Sequence, residues 1–158
     1  MEISSLNMAE LIPHQDAMCL LDGIEHWDDH HIVCRATSHR RRDNPLRDGS
    51  GLRAVCALEY GAQAIAAHAA LLGRPGGHGA EAGALVAVRD LITTLSHLDE
   101  IAGVLTVRAD IVLVHEQGLI YDVTVSGAGR ILLSGRLSVM TSPKELQTVH
   151  PLPAEGPA

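Results

Sequence analysis

The chain has 158 residues, 46% of them hydrophobic, and it carries a formal net charge of −7. A chain of this length can form one domain with a substantial core. The acidic balance and an aromatic content of 2% argue against a nucleic-acid partner, because such proteins use basic patches and aromatic stacking platforms.

The cysteine pattern favours a reduced, cytoplasmic setting. Cys19, Cys34 and Cys56 form an odd set with no close spacing. We therefore expect buried free thiols, and neither a disulfide framework nor a zinc site. We also expect no signal sequence and no membrane span.

The N-terminal part of the chain predicts a short helix. It covers residues 4–11, with Ser4 or Ser5 as the N-cap, and it ends before Pro13, which disfavours helix at the preceding residue.

Strands and a loop are predicted next. Apolar and alternating residues between 18 and 38 predict one or two strands, with a turn at Asp28–Asp29. Residues 39–51 are rich in charge, proline and glycine, which is typical of a loop.

The stretch 52–72 predicts the central helix of the protein. It contains no proline and eight alanines, and apolar residues occur on all its sides, which indicates a buried helix. Its small side chains indicate close packing against a sheet. Glu59 and Gln63 are spaced i,i+4 and therefore share one face, where a buried carboxylate needs compensation.

The C-terminal half predicts antiparallel strands joined by short glycine-containing connections. The glycine-rich segment 73–83 is predicted to be a connection. We place the single domain at residues 1–142 and a proline-containing tail at residues 143–158. The predicted strands are 84–95, 103–117, 119–126 and 130–140. A curved sheet wrapped around the helix would bury it, and edge-to-edge dimerisation would protect the sheet edge.

Three segments in this order resemble 3-hydroxyacyl-acyl carrier protein dehydratases. They are residues 12–22 (IPHQDAMCLLD), 58–63 (LEYGAQ) and 84–90 (ALVAVRD), and the resemblance covers most of residues 8–140. It implies an α+β hotdog fold, in which a curved antiparallel β-sheet wraps around one long central helix. It also implies a homodimer, or a heterodimer with another hotdog chain, and possibly a higher oligomer.

The resemblance implies general acid–base removal of water from a 3-hydroxyacyl thioester. Glu59 stands at the place of the family's helix carboxylate, and burial would raise its pKa. Gln63 stands at the helix glutamine that orients this carboxylate. The Ala54 amide stands where the family binds the thioester oxygen. No cofactor or metal is implied beyond the phosphopantetheine that carries the substrate.

The family's catalytic histidine is missing from its usual place. That place, fourteen residues before Glu59, is occupied by Pro45, as in a divergent branch connected with aryl-polyene pathways. His14 or Asn44 could take the role, a partner hotdog chain could supply a histidine, or the protein could bind acyl groups without reacting. A hotdog thioesterase is the competing enzyme class.

A cluster of arginines precedes and enters the central helix. Because guanidinium groups suit phosphate, the cluster is a candidate contact for an acyl carrier protein, and a solvated loop is the alternative. Its members are Arg40, Arg41, Arg42, Arg47 and Arg53.

The remaining histidines predict no site. His26, His30 and His31 flank Asp28 and Asp29, but their spacing matches no usual zinc pattern, so a solvated hairpin is predicted. His68 lies opposite Glu59 on the helix and is predicted to be a core residue.

Overall fold

One six-stranded antiparallel sheet and one long helix form the described part of the protein. The computed structural model describes residues 3, 6–13, 16–73 and 84–140. The helices are α1, Met8–Leu11, and α2, Ala57–Leu71. The strands are β1, Gly23–Trp27; β2, His31–Ala36; β3, Ala84–Thr93; β4, Leu105–His115; β5, Gly118–Gly127; and β6, Arg130–Met140. Residues 74–83 of the predicted connection and the predicted tail, 143–158, lie outside the described residues.

The strands lie in the order β1-β2-β4-β5-β6-β3. Leu105, Val107 and Ala109 of β4 are fully buried and Thr106 and Arg108 are not. The buried side chains face α2 because a strand presents every second residue to one side. The sheet thus covers a helix that is buried over most of its length.

Helix α2 lies very close to β5. A Cβ atom on Gly61 would come within 2.6 Å of Cγ1 of Val123, and Ala57, Ala64 and Ala67 are fully buried. This confirms that the small side chains of the helix allow close packing against a sheet.

The central helix starts later than the sequence predicts. Leu52 and Ala54 pair with a distant segment, since Leu98 donates its N–H to the Leu52 carbonyl at 2.7 Å and Ala54 donates to Ser96 at 2.9 Å. This pairing holds residues 52–53 outside the helix, and a 3₁₀ turn, Ala54–Cys56, leads into α2.

The first helix is also shorter than predicted. It begins at Met8, and the Asn7 side chain caps it by accepting a hydrogen bond from the Ala9 N–H at 3.1 Å. Ser4 and Ser5 lie outside the described residues. Ile12 has left the helical conformation, with φ −117° and ψ 152°, as expected for a residue before proline.

All three cysteines are free thiols. Cys34 is fully buried, and this burial raises the pKa of its thiol to about 12. Cys19 and Cys56 are only half-buried, so the expectation of burial was wrong for these two. Among the described residues, no helix has the length and hydropathy needed to cross a membrane.

Candidate active site on the central helix

Glu59 lies in the first turn of α2 and is half-buried. The position therefore offers an acidic side chain that is held by a rigid, buried element and is still partly open to solvent. A group placed in this way can exchange protons with a bound molecule.

Gln63, one turn further along, is fully buried and uses its amide to hold the opening segment of the chain. Its Oε1 accepts the Leu20 N–H at 2.9 Å, and its Nε2 donates to the Met18 carbonyl at 2.6 Å. Gln63 thus fixes part of the family-like segment 12–22 against α2. A contribution of Gln63 to substrate binding remains a prediction.

Asn44 belongs to a buried network that fastens the arginine-rich loop to the helix. Its Nδ2 donates to the Ser38 carbonyl at 3.0 Å and to the Tyr60 hydroxyl at 3.2 Å, and its Oδ1 accepts the Leu46 N–H at 2.9 Å. The amide of Asn44 is therefore already used to shape the loop that carries Pro45.

Tyr60 and Ser38 are residues of this network that the sequence did not single out. Ser38 donates to the Leu20 carbonyl at 2.7 Å, so the Tyr60 hydroxyl, 2.8 Å away, donates to the Ser38 oxygen. Burial raises the pKa of Tyr60, which keeps the hydroxyl neutral. The signal for Tyr60 was its place in an apolar helix, because a buried tyrosine hydroxyl needs a hydrogen-bond partner.

The Ala54 amide, the predicted ligand of the thioester oxygen, is already paired. It donates to the Ser96 carbonyl in the same contact that delays the start of α2. Next to this contact, Asp99 accepts the Leu52 N–H at 3.0 Å and a hydrogen bond from Arg47 at 3.3 Å. In this structure the Ala54 amide is a structural donor and is not free to bind a thioester oxygen.

The histidines of the described segments lie in different surroundings. Pro45 is exposed at the place of the family's histidine, and His14 lies outside the described residues. His39 is fully buried, with Nε2 2.8 Å from the Ile101 carbonyl. His68 is a core residue, as predicted, with its ring nitrogens 2.8 Å from the Tyr121 hydroxyl and 2.6 Å from the Asp28 carbonyl.

The arginine cluster is partly neutralised. Arg41 pairs with Asp43 at 3.0 Å, Arg47 with Asp99 at 3.3 Å and Arg53 with Asp48 at 3.0 Å. The two other members, Arg40 and Arg42, are exposed. Three of the five guanidinium charges are therefore balanced by neighbouring carboxylates.

Comparison with known proteins decides the family. A model of the ApeP dehydratases, described as ApeP-like, matches residues 6–150. The chain belongs to the ApeP-like dehydratase family. No curated protein matches the sequence.

Solved structures that resemble the chain confirm the hotdog fold. The dehydratase heterocomplex ApeI:P from Xenorhabdus doucetiae aligns with a TM-score of 0.76 and 23% identity over 92% of this chain and 99% of that chain. A thioesterase from Staphylococcus aureus aligns with a TM-score of 0.55 and 16% identity, covering 77% of this chain and 93% of its own. The PaaI protein of the phenylacetic acid degradation operon of Escherichia coli gives 0.54 and 16%, covering 74% and 80%.

Proposed function

We propose that the chain is the carboxylate-bearing subunit of a hotdog dehydratase that removes water from 3-hydroxyacyl thioesters, and that a partner hotdog chain supplies the histidine. The observation that carries this proposal is the position of Glu59, half-buried in the first turn of α2, in a member of the ApeP-like dehydratase family. The similar ApeI:P structure is itself a dehydratase heterocomplex, which supports a partnership between two hotdog chains.

The reaction needs two groups that transfer protons. One removes a proton from C2 of the acyl chain, and the electron pair forms the C2–C3 double bond as the C3–O bond breaks. The other protonates the departing hydroxyl, so that water leaves. Glu59 supplies one of these groups, and an imidazole is the side chain whose ordinary pKa best suits the other at neutral pH.

The surroundings of the site favour an external source for the imidazole. Pro45 replaces the histidine of the loop, and the amide of Asn44 is used by Ser38, Tyr60 and Leu46. His39, the histidine nearest to Pro45 along the chain, is fully buried and bonded to a backbone carbonyl. These constraints disfavour the residues of the loop, and the similar heterocomplex favours a partner chain as the source, with His14 as the alternative.

The acyl group is proposed to arrive on the phosphopantetheine arm of an acyl carrier protein, with no cofactor held by this chain. Carrier docking would use the exposed Arg40 and Arg42, which lie on the loop that the Asn44–Tyr60 contact fastens to α2. Guanidinium groups pair well with phosphate and carboxylate groups.

The test is a dehydration assay with the purified chain alone, with a histidine-bearing hotdog dehydratase chain from the same source alone, and with the two mixed. Formation of the enoyl product is followed by absorbance and by mass spectrometry of the carrier. We expect turnover only in the mixture, and we expect Glu59→Gln to lower it by at least about 100-fold, since general acid–base groups contribute factors of this size.

The matched control is Glu116→Gln, which makes the same change at an exposed turn. Turnover by this chain alone would contradict the partner requirement, and full activity of Glu59→Gln would contradict the role of the carboxylate. Release of a free thiol without an enoyl product would identify the protein as a thioesterase.

A further inference from the structure

We propose that the β1–β2 hairpin holds a binding site for one divalent transition-metal ion, best suited to zinc, formed by His26, Asp28 and His31. Neither the dehydratase chemistry nor the central helix uses these side chains. The spacing of the residues along the sequence does not predict the site, but the hairpin brings their ligand atoms within 4.8 Å of one another.

The register of the hairpin creates this cluster. His26 lies near the end of β1 and His31 begins β2, where Trp27 pairs with Ile32. The imidazole rings have centroids 5.0 Å apart, and the Asp28 carboxylate lies against both. The two rings and the carboxylate thus converge across a tight turn.

The distances are close to those of a metal site. Nδ1 of His31 is 3.0 Å from one carboxylate oxygen of Asp28, and Nε2 of His26 is 3.9 Å from the other. Zinc bonds of about 2.0–2.2 Å in a tetrahedron place neighbouring ligand atoms roughly 3.3–3.6 Å apart. Small side-chain rotations would therefore bring the three groups to one ion.

The ligand set and its exposure indicate the class of metal. Two imidazoles with one carboxylate suit zinc and its neighbours in the first transition row, whereas magnesium and calcium prefer oxygen ligands alone. His26 is 57% exposed at its side chain, so water has access to the fourth position of a tetrahedral ion.

The turn that carries Asp28 is held firmly. The carboxylate accepts the N–H groups of His30 and His31 at 2.8 and 2.9 Å, which is the hydrogen-bonding pattern of an Asx turn. The Asp28 carbonyl lies 2.6 Å from Nε2 of His68 in α2. Because the turn is anchored to the core helix, little ordering is required when an ion binds.

The charge around the cluster is compatible with a cation. Asp29 is exposed beside the turn. Arg108 on β4 is the nearby cation, and it forms a two-pronged pair with Asp110 at 2.9 and 2.7 Å. The guanidinium charge is therefore balanced by its own partner.

The test is a zinc titration of the tag-free full chain by isothermal calorimetry, together with thermal unfolding with and without zinc. We expect saturable binding of one ion and an increase in the melting temperature, since a ligand that binds the folded state stabilises it. His31→Ala and His26→Ala should each weaken binding by at least about tenfold, equivalent to about 1.4 kcal/mol.

His30→Ala is the matched control, because it removes an imidazole from the same hairpin that is not part of the cluster. It should leave the zinc affinity unchanged. All three changes are at the surface or in the hairpin, and circular dichroism will verify that the variants fold. Absence of saturable binding, or equal affinity in the wild type and His31→Ala, would overturn the proposal.

Discussion

His39 is a buried imidazole that the proposed chemistry does not use. Its Nε2 lies 2.8 Å from the Ile101 carbonyl, and its Nδ1 is buried with no hydrogen-bond partner in the described part of the chain. The carbonyl can only accept, so Nε2 carries a proton, and a second proton on the buried Nδ1 would have no acceptor. Burial lowers the pKa of His39, an effect that the bond to Ile101 opposes.

This lowered pKa predicts acid sensitivity. Well above 6.5, the ordinary histidine pKa, the ring is neutral in both the folded and the unfolded chain. As the pH falls through that value, the unfolded chain binds a proton that the folded chain does not, so the free energy of unfolding decreases. We expect this decrease to be smaller in His39→Gln.

Urea unfolding of both proteins at about pH 7.5 and about pH 5.5, either side of the ordinary histidine pKa, measures the effect. The comparison uses the change between the two pH values, so a constant loss of stability in the variant does not affect it. An equal decrease in the wild type and in His39→Gln would show that His39 titrates normally in the folded protein.

The contact between α2 and β5 depends on the absence of a side chain at Gly61. The Cβ atom of an alanine at position 61 would lie 2.6 Å from Cγ1 of Val123, a branched side chain with little freedom to move away. A larger residue at position 61 would therefore push α2 away from β5.

Gly61→Ala should destabilise the protein despite the better helix propensity of alanine. Overpacking costs about 1–3 kcal/mol and the propensity gain is at most about 1 kcal/mol, so we expect a net loss of about 1–2 kcal/mol in chemical denaturation. Gly49→Ala is the control, because a Cβ there meets nothing within 4 Å. A Gly61→Ala protein as stable as the wild type would mean that the helix can shift away from β5.

The edge strand β3 is a candidate surface for assembly. It lies at one end of the sheet, paired on one side with β6. Four apolar residues of β3 are exposed: Leu85, Val86, Leu91 and Ile92. An open apolar edge strand favours association with another chain.

Ile92→Lys should therefore weaken association. Ile92 is 60% exposed, and a charge there would have to be buried in an edge-to-edge interface, which is costly. We expect analytical ultracentrifugation to show fewer dimers and more monomers. The dimer in question is formed by two copies of this chain or by this chain and a second hotdog chain. Val112→Lys, an equivalent change at an exposed position of β4, should not cause this shift; equal effects of both changes would contradict an interface specific to β3.

The sequence was sufficient to predict features that depend on local periodicity. The apolar residues around Glu59 predicted a buried helix, and most of α2 is buried, but Leu58, Ala62 and Ala66 on one face are only half-buried. The three family-like segments predicted the hotdog fold and the dehydratase family, and the comparisons confirmed both. The role of Glu59 as the helix carboxylate also came from the sequence and remains a prediction.

Contacts between groups that are distant along the chain depend on the tertiary structure. Helix α2 starts at Ala57 because Leu52 and Ala54 pair with residues 96–98, and no pattern within the helix contains that information. Gln63 binds the opening segment and His26 meets His31 across a turn. Such contacts depend on how strands pair and how loops return to the core, and the physical preferences of neighbouring residues do not fix them.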